Sequence, residues 1–235
     1  MNATMAGILY FLGTAFGIVG AIIGGEVLTS IISDKPLADV DMLALVATNS
    51  SQITWSTFFT LMMGISLVAM TVFLYPIFRK VSEELAMGLV LFRGALEGIF
   101  YCSTTLTFLT LVALGKEYVA TGANSAVLQS IGRALYLFEN IKAPVSSILF
   151  IIGAMCIYLV FYRTRLIPHW LSVWGFIAAV AYLISALLGF FHVETDLGFY
   201  LEMGTMFPQE IVMAIWLIVK GFNLPALAAL STKQD

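Results

Sequence analysis

Apolar residues run along this chain in long blocks with few polar interruptions. A helix crossing about 30 Å of hydrocarbon needs roughly 20 mostly apolar residues. That ruler picks out six segments, residues 6–31, 55–78, 85–114, 143–162, 170–191 and 204–222. The third is long enough for pronounced tilt or for extension beyond the lipid, and the sixth is short. Between the third and fourth, Val127, Leu128, Ile131, Leu135 and Phe138 recur at helical spacing over residues 126–138. This predicts an amphipathic helix on the membrane surface or, less preferred, a lengthening of the fourth helix ahead of a bend at Pro144. Residues 39–46 are a weaker candidate for another short surface helix. No internal repeat is visible, so the pattern does not support an inverted-repeat transporter. The expectation is an all-α polytopic membrane helical bundle of about six transmembrane helices, forming one integral membrane domain over residues 1–235.

Composition strengthens this picture. The chain is 60% hydrophobic and 11% charged, with a mean hydropathy of +0.99, against roughly 45–50% apolar and about 25% charged in soluble domains. The net charge of −3 and the lack of a Lys/Arg block argue against a nucleic-acid partner, which needs a clustered basic face. Residues 1–6 carry no Lys or Arg, and the apolar run behind them is too long for a cleaved signal peptide, so the first helix is expected to persist. Cys102 and Cys156 fall inside spans, where cysteine acts as a small buried hydrophobe.

The distribution of basic residues sets the expected orientation. Arg79 and Lys80 follow the second span, Arg163 and Arg165 the fourth, and Lys220 and Lys233 the sixth. That side is assigned to the cytoplasm, which puts both termini there. The opposite connections are expected to hold Lys35, Lys116, Arg133 and Lys142. They also carry Asp34, Asp39, Asp41, Glu117, Glu139, Glu194, Asp196 and Glu202, which give the outer face a negative field. Trp55, Trp170 and Trp174 stand near span ends as interfacial anchors do.

Charge inside the spans is costly and therefore informative. Arg93 and Glu97 lie one turn apart in the third span, and such residues usually face a bundle interior and pair. At α-helical spacing Tyr101, Thr104 and Thr105 continue the same face, and Gly94 and Gly98 beside the charges admit a close neighbouring backbone. Glu26 near the outer end of the first span and Glu210 in the sixth add two carboxylates. Gln209 stands next to Glu210. If the three acids converge on one guanidinium, the surplus negative charge requires a proton or a cation. The alternatives are bland: a fixed Arg93–Glu97 pair that sets helix register, an interfacial Glu26, and a Glu210 held in the first turn after Pro208 by free N–H groups and the helix dipole. In the first span Gly13, Gly17, Ala21 and Gly25 form a small-residue ridge with Gly20 and Gly24 beside it. Its partner is either a helix of the same chain or a second copy in a homo-oligomer.

Other chemistries are poorly supplied. His169 and His192 flank opposite ends of the fifth span and cannot jointly hold a metal or haem. No Gly-x-Ser-x-Gly nucleophile motif is present. His192, Glu194 and Asp196 make at best a weak outer cation site. Neither a metal site nor a cofactor is predicted.

The runs RTRLIPHWLSVWGF (163–176) and FPQEIVMAIWLIVKGFN (207–223), with LYPIFRK (74–80) and the region from Arg93 to Glu97, carry a resemblance. They are similar to a family of bacterial integral membrane proteins catalogued as domain of unknown function 4386. The resemblance extends over most of the chain and implies a small polytopic protein of the bacterial plasma (inner) membrane, with no established activity to transfer. On it, Arg93, Glu97, Pro208, Glu210 and Lys220 match recurrent family positions.

The leading functional expectation is a polar cavity, open to the outer face, that binds a small polar, cationic or amphiphilic molecule or moves it coupled to protons. Glu97 is the expected protonatable centre, Arg93 its counter-ion, Glu26 and Glu210 the outer lining, with Tyr101 and Gln209 as further candidates. A non-transporting sensor, immunity or assembly-partner protein is the alternative. A lipid-acting intramembrane enzyme with Glu97 or Glu210 as base comes third. Membrane lipid is the one partner that every reading shares.

Overall fold

The computed structural model describes residues 2–32, 41–191, 193 and 200–231, without the side chains of 26–32, 202, 203 and 231. Among these residues the chain is almost wholly helical and has no strand. In order come α1 (Asn2–Ile32), α2 (Met42–Thr48), α3 (Ser50–Phe78), α4 (Glu83–Gly88), a π-helical stretch (Leu89–Leu96) and α5 (Glu97–Ala120). There follow α6 (Ala126–Thr164), α7 (His169–Phe190), a second π-helical stretch (Glu202–Met206), α8 (Phe207–Val219) and α9 (Leu224–Ser231). Among the described residues, five helical stretches are long and apolar enough to cross a membrane: Asn2–Gly25, Ser50–Phe78, Glu83–Ala120, Ala126–Thr164 and His169–Phe190. A sixth arises if Gly204–Val219 and Leu224–Leu230, bent by 84° at their junction, count as one span.

The outside of these helices is apolar. Ile22, Val72, Ile99, Leu106, Ile141 and Ile177 are all exposed. A soluble monomer rarely presents so much contiguous hydrocarbon, and in lipid it is the favoured surface. The buried Thr57 and Ser172 hydroxyls have no hydrogen-bond partner among the described residues. Five threonine hydroxyls within the spans are satisfied locally: Thr14, Thr60, Thr105, Thr107 and Thr110 each donate to the carbonyl four residues earlier. A helix in hydrocarbon can thus carry threonine without an orphaned donor. This is an integral membrane protein.

Packing divides the chain into two compact units. The first comprises Met1–Thr14, Gly64–Ile99 and Pro144–Asp235, and the second Ala15–Met63 and Phe100–Ala143. In the first, the Phe78 ring meets Phe161 edge-on at 5.4 Å between centroids, and Phe161 meets Phe222 at 6.0 Å. Gly7 of α1 lies so close to α8 that an added Cβ would stand 2.8 Å from the Leu217 Cβ.

In the second unit Met42, Leu43, Val46, Ile53, Phe108, Leu111, Val112 and Tyr118 form the core. Residues 39–46 are expected to lie on a surface, but α2 spans Met42–Thr48 and buries Met42, Leu43 and Val46. The side chain of Asp41 starts this helix by accepting the Ala44 N–H at 3.3 Å, and its other oxygen accepts the Tyr118 hydroxyl at 2.8 Å. Gly115 gives α2 its seat, since a Cβ there would stand 2.8 Å from the Leu43 carbonyl oxygen.

The small-residue face of α1 packs within the chain at Gly17 and Gly20. A Cβ would meet the Met63 sulfur 2.7 Å from Gly17 and the Ser56 carbonyl 3.1 Å from Gly20. Ser56 donates to the Gly20 carbonyl at 2.7 Å, and Gln52 to the Ile23 carbonyl at 2.6 Å. Of the predicted Gly13/Gly17/Ala21/Gly25 line, Gly13 is buried, Gly17 packs on Met63 and Gly25 lies against Gln52, whereas Ala21 is exposed; Gly20 and Gly24 beside the line share the contact. Gly25 breaks the helix with φ 47°.

Of the two forms expected for residues 126–138, the structure has the lengthened fourth helix. α6 runs unbroken from Ala126 to Thr164 with Pro144 inside it. Lys142 and Glu139, expected in an outer connection, are instead buried side chains of that helix, 7% and 11% exposed.

Candidate functional site

Arg93 is among the largest fully buried side chains in the protein. It projects from the π-helical stretch Leu89–Leu96, while Glu97 opens α5. In a π-helix hydrogen bonds run to the fifth residue, and such wide turns recur at functional sites. The neighbours are shaped to admit the guanidinium. Gly153 of α6 presses on the Arg93 backbone, where a Cβ would lie 2.7 Å from the Arg93 nitrogen. The Phe150 ring lies 4.3 Å from the guanidinium carbon and the Tyr10 ring 5.5 Å from it, both within cation–π range. At Gly94 and Gly98 it is side chains, not a neighbouring backbone, that come close. Thr71 Oγ1 is 3.0 Å from a Cβ at Gly94 and Val68 Cγ2 is 2.8 Å from one at Gly98, both from α3.

The guanidinium joins two carboxylates. Arg93 Nη1 donates to Glu97 Oε1 at 2.5 Å and to Oε2 at 2.6 Å, while Nη2 donates to Glu210 Oε1 at 3.1 Å. The Tyr10 hydroxyl donates to the same Glu210 oxygen at 2.5 Å and accepts from Arg93 Nη2 at 3.4 Å. Arg93 and Glu97 are 1% and 2% exposed, and Glu210 is 14% exposed. With both acids ionised, one positive charge faces two negative ones in a setting where each unit of net charge is costly.

Gln209 extends the arrangement. Its side chain is fully buried, accepts the Tyr158 hydroxyl at 2.7 Å and donates to the Leu171 carbonyl at 3.2 Å. The Tyr158 hydroxyl in turn stands in the electrostatic field of both Glu210 and Arg93. Gly175 leaves room for the Tyr158 ring, which a Cβ at that position would overlap. Both residues of the Gln209–Glu210 pair sit in the first turn of α8, after Pro208 and directly behind the second π-helical stretch.

A family model described as Domain of unknown function (DUF4386) matches residues 5–221. The chain belongs to this family. A relative from Archaeoglobus fulgidus, named only as an uncharacterized protein, is 32% identical over 157 residues, covering 67% of this chain and 78% of the relative. No solved structure matches the chain.

Of the six residues singled out from sequence, Arg93, Glu97 and Glu210 meet directly, and Gln209 joins through the tyrosines. Tyr101 belongs to the second unit, where its carbonyl accepts the Thr105 hydroxyl at 2.9 Å. The side chain of Glu26 and residues His192, Glu194 and Asp196 lie outside the described residues. Sequence reasoning missed Tyr10, Tyr158 and Phe150. A tyrosine in the middle of a span is the signal that was there to be used, because its hydroxyl needs a partner once buried.

Proposed function

We propose that this family member binds a small cationic or amphiphilic molecule at Glu210, in exchange for a proton. The observation that carries the reading is the unequal exposure of the two acids around Arg93: Glu97 is sealed in a bidentate pair, and Glu210 is reachable. Glu97 serves as the fixed counter-ion that holds the guanidinium in place. Glu210 is the second carboxylate on a charge already neutralised, so its ionised form calls for another positive partner or a proton. The Tyr10 hydroxyl orients it in either case. This shifts the working acid from Glu97, the sequence-based choice, to Glu210. The basic residues after the second, fourth and sixth spans support a plasma-membrane orientation with those ends in the cytoplasm.

The test uses proteoliposomes with a pH-reporting dye in the lumen and a gradient of permanently charged quaternary ammonium probes of graded size. Native protein is expected to raise luminal pH as probe enters and proton leaves, and Glu210→Gln to abolish the response. No proton movement with native protein for any probe would overturn the reading. That result would favour a non-transporting membrane module, which the close enclosure of Arg93 by Gly153 and Phe150 also supports.

A further inference from the structure

The two segments that carry the family resemblance most specifically meet at Gln209 and Leu171 and again at their links to the next helices. The link between α6 and α7 and the link between α8 and α9 are tied by the Asn223 N–H, which donates to the Leu166 carbonyl at 2.9 Å. Between them lies a pocket of about 440 Å³ lined by Arg165, His169, Trp216, Lys220 and Asn223, with Leu166, Ile167, Pro168, Gly221 and Phe222 completing the wall. Arg165, His169 and Lys220 are exposed, and none of the described lining residues is acidic.

Each cation taken singly has an ordinary explanation, since Arg165 and Lys220 follow helix C-termini, where positive charge is favoured. The Lys/Arg bias accounts for their sharing one side of the membrane, but not for their lining one pocket. Arg165 holds φ 54°, a conformation that a non-glycine residue adopts at a cost. Gly221, at φ 68°, closes α8 in the left-handed form typical of helix ends and turns the chain back towards Leu166. The His169 ring packs 4.2 Å from Tyr162. His169 opens α7 behind Pro168 with no side-chain cap, and the Leu171 and Ser172 N–H groups donate to the Pro168 carbonyl at 3.0 and 3.4 Å. Two permanent cations, an imidazole and an indole line one space, and none of the described lining residues carries a carboxylate.

We infer that this pocket binds a phosphate-bearing anion, either the headgroup of an anionic phospholipid or a free phosphate ester. Arginine and lysine give charge-assisted hydrogen bonds to phosphate oxygens. The site is independent of Glu210 and stands whether or not cations move there.

The experiment compares native protein, Arg165→Gln/Lys220→Gln and Arg79→Gln/Lys80→Gln in neutral phosphatidylcholine nanodiscs. The last variant removes the same number of charges from a different pocket, at the end of α3, lined by Tyr75, Pro76, Arg79 and Lys80. One arm adds phosphatidylglycerol to the bilayer and reads lipid retention by native mass spectrometry. The other titrates glycerol 3-phosphate and reads binding calorimetrically. Native protein is expected to retain one of the two probes, and the arm that responds identifies the source of the phosphate. The Arg165/Lys220 variant should weaken that retention by about tenfold or more, the loss of two charge-assisted contacts, with Arg79/Lys80 near native. Equal loss in both variants, or no retention of either probe by native protein, would overturn the inference.

Discussion

Each of the two compact units buries an acid–base cluster, and the two clusters differ in their charge balance. In the second unit Lys142 donates to Glu139 at 2.6 Å and to Thr104 at 2.7 Å, Thr104 donates to the other Glu139 oxygen at 3.3 Å, and the ammonium lies over the Phe138 ring at 5.5 Å. One cation meets one anion, and the hydroxyl and ring complete their surroundings. In the first unit one guanidinium meets two carboxylates. A balanced buried pair can be replaced by well-packed apolar residues with little loss, whereas a charge left without its partner is strongly unfavourable. The comparison teaches that burial of charge alone does not mark a working site. The surplus does.

Arg93→Ala gives the largest expected effect, because it strands two carboxylates at once. Unfolding in detergent should show a loss of about 3–5 kcal/mol or failure to fold, and Arg93→Lys should recover part of it. A loss under about 1 kcal/mol would mean that the acids are already neutral. Lys142→Met comes next, with an expected loss of about 2–3 kcal/mol from an unpaired Glu139. The double change Lys142→Met/Glu139→Leu should restore most of that stability. The matching pair Arg93→Met/Glu97→Leu should not, since Glu210 remains without its cation. Equal recovery of both doubles in parallel unfolding curves would erase the distinction between the clusters. Gly153→Ala is expected to be the mildest, at about 1–3 kcal/mol, by pushing the Arg93 backbone off its seat. Its readout is the unfolding midpoint, together with unchanged behaviour of the Lys142 cluster.

The membrane class and the run of spans were legible because hydropathy is a summed property that tolerates local errors. Arg93, Glu97 and Glu210 were legible for a different reason: each is expensive where it stands, so its presence asks for a partner. The π-helical stretches left no mark in the pattern, as a wide turn uses the same residues as an ordinary one. Glu97 and Tyr101 share the regular helix α5, so only the step from Arg93 to Glu97 crosses the wide turn. Lys142 and Glu139 were read as loop residues because charge next to a span end usually means water. Their three-residue spacing on a helix lets them neutralise each other instead. The surface reading of residues 39–46 failed because Met42 to Ala47 is apolar at every position, so no periodicity reveals which face is buried.

The right-angled end of the chain has a consequence for how the protein meets the bilayer. The helix from Gly204 to Val219 stops where Gly221 turns the backbone, and the next helix departs at 84°. Counted from Tyr200, where the described helical backbone resumes, the stretch to Val219 at about 1.5 Å per residue is roughly 30 Å long, one hydrocarbon thickness. The short apolar helix Leu224–Ser231, with Leu224 exposed, then runs crosswise to a full-length span, the attitude of a helix that rests in the membrane interface rather than crossing it.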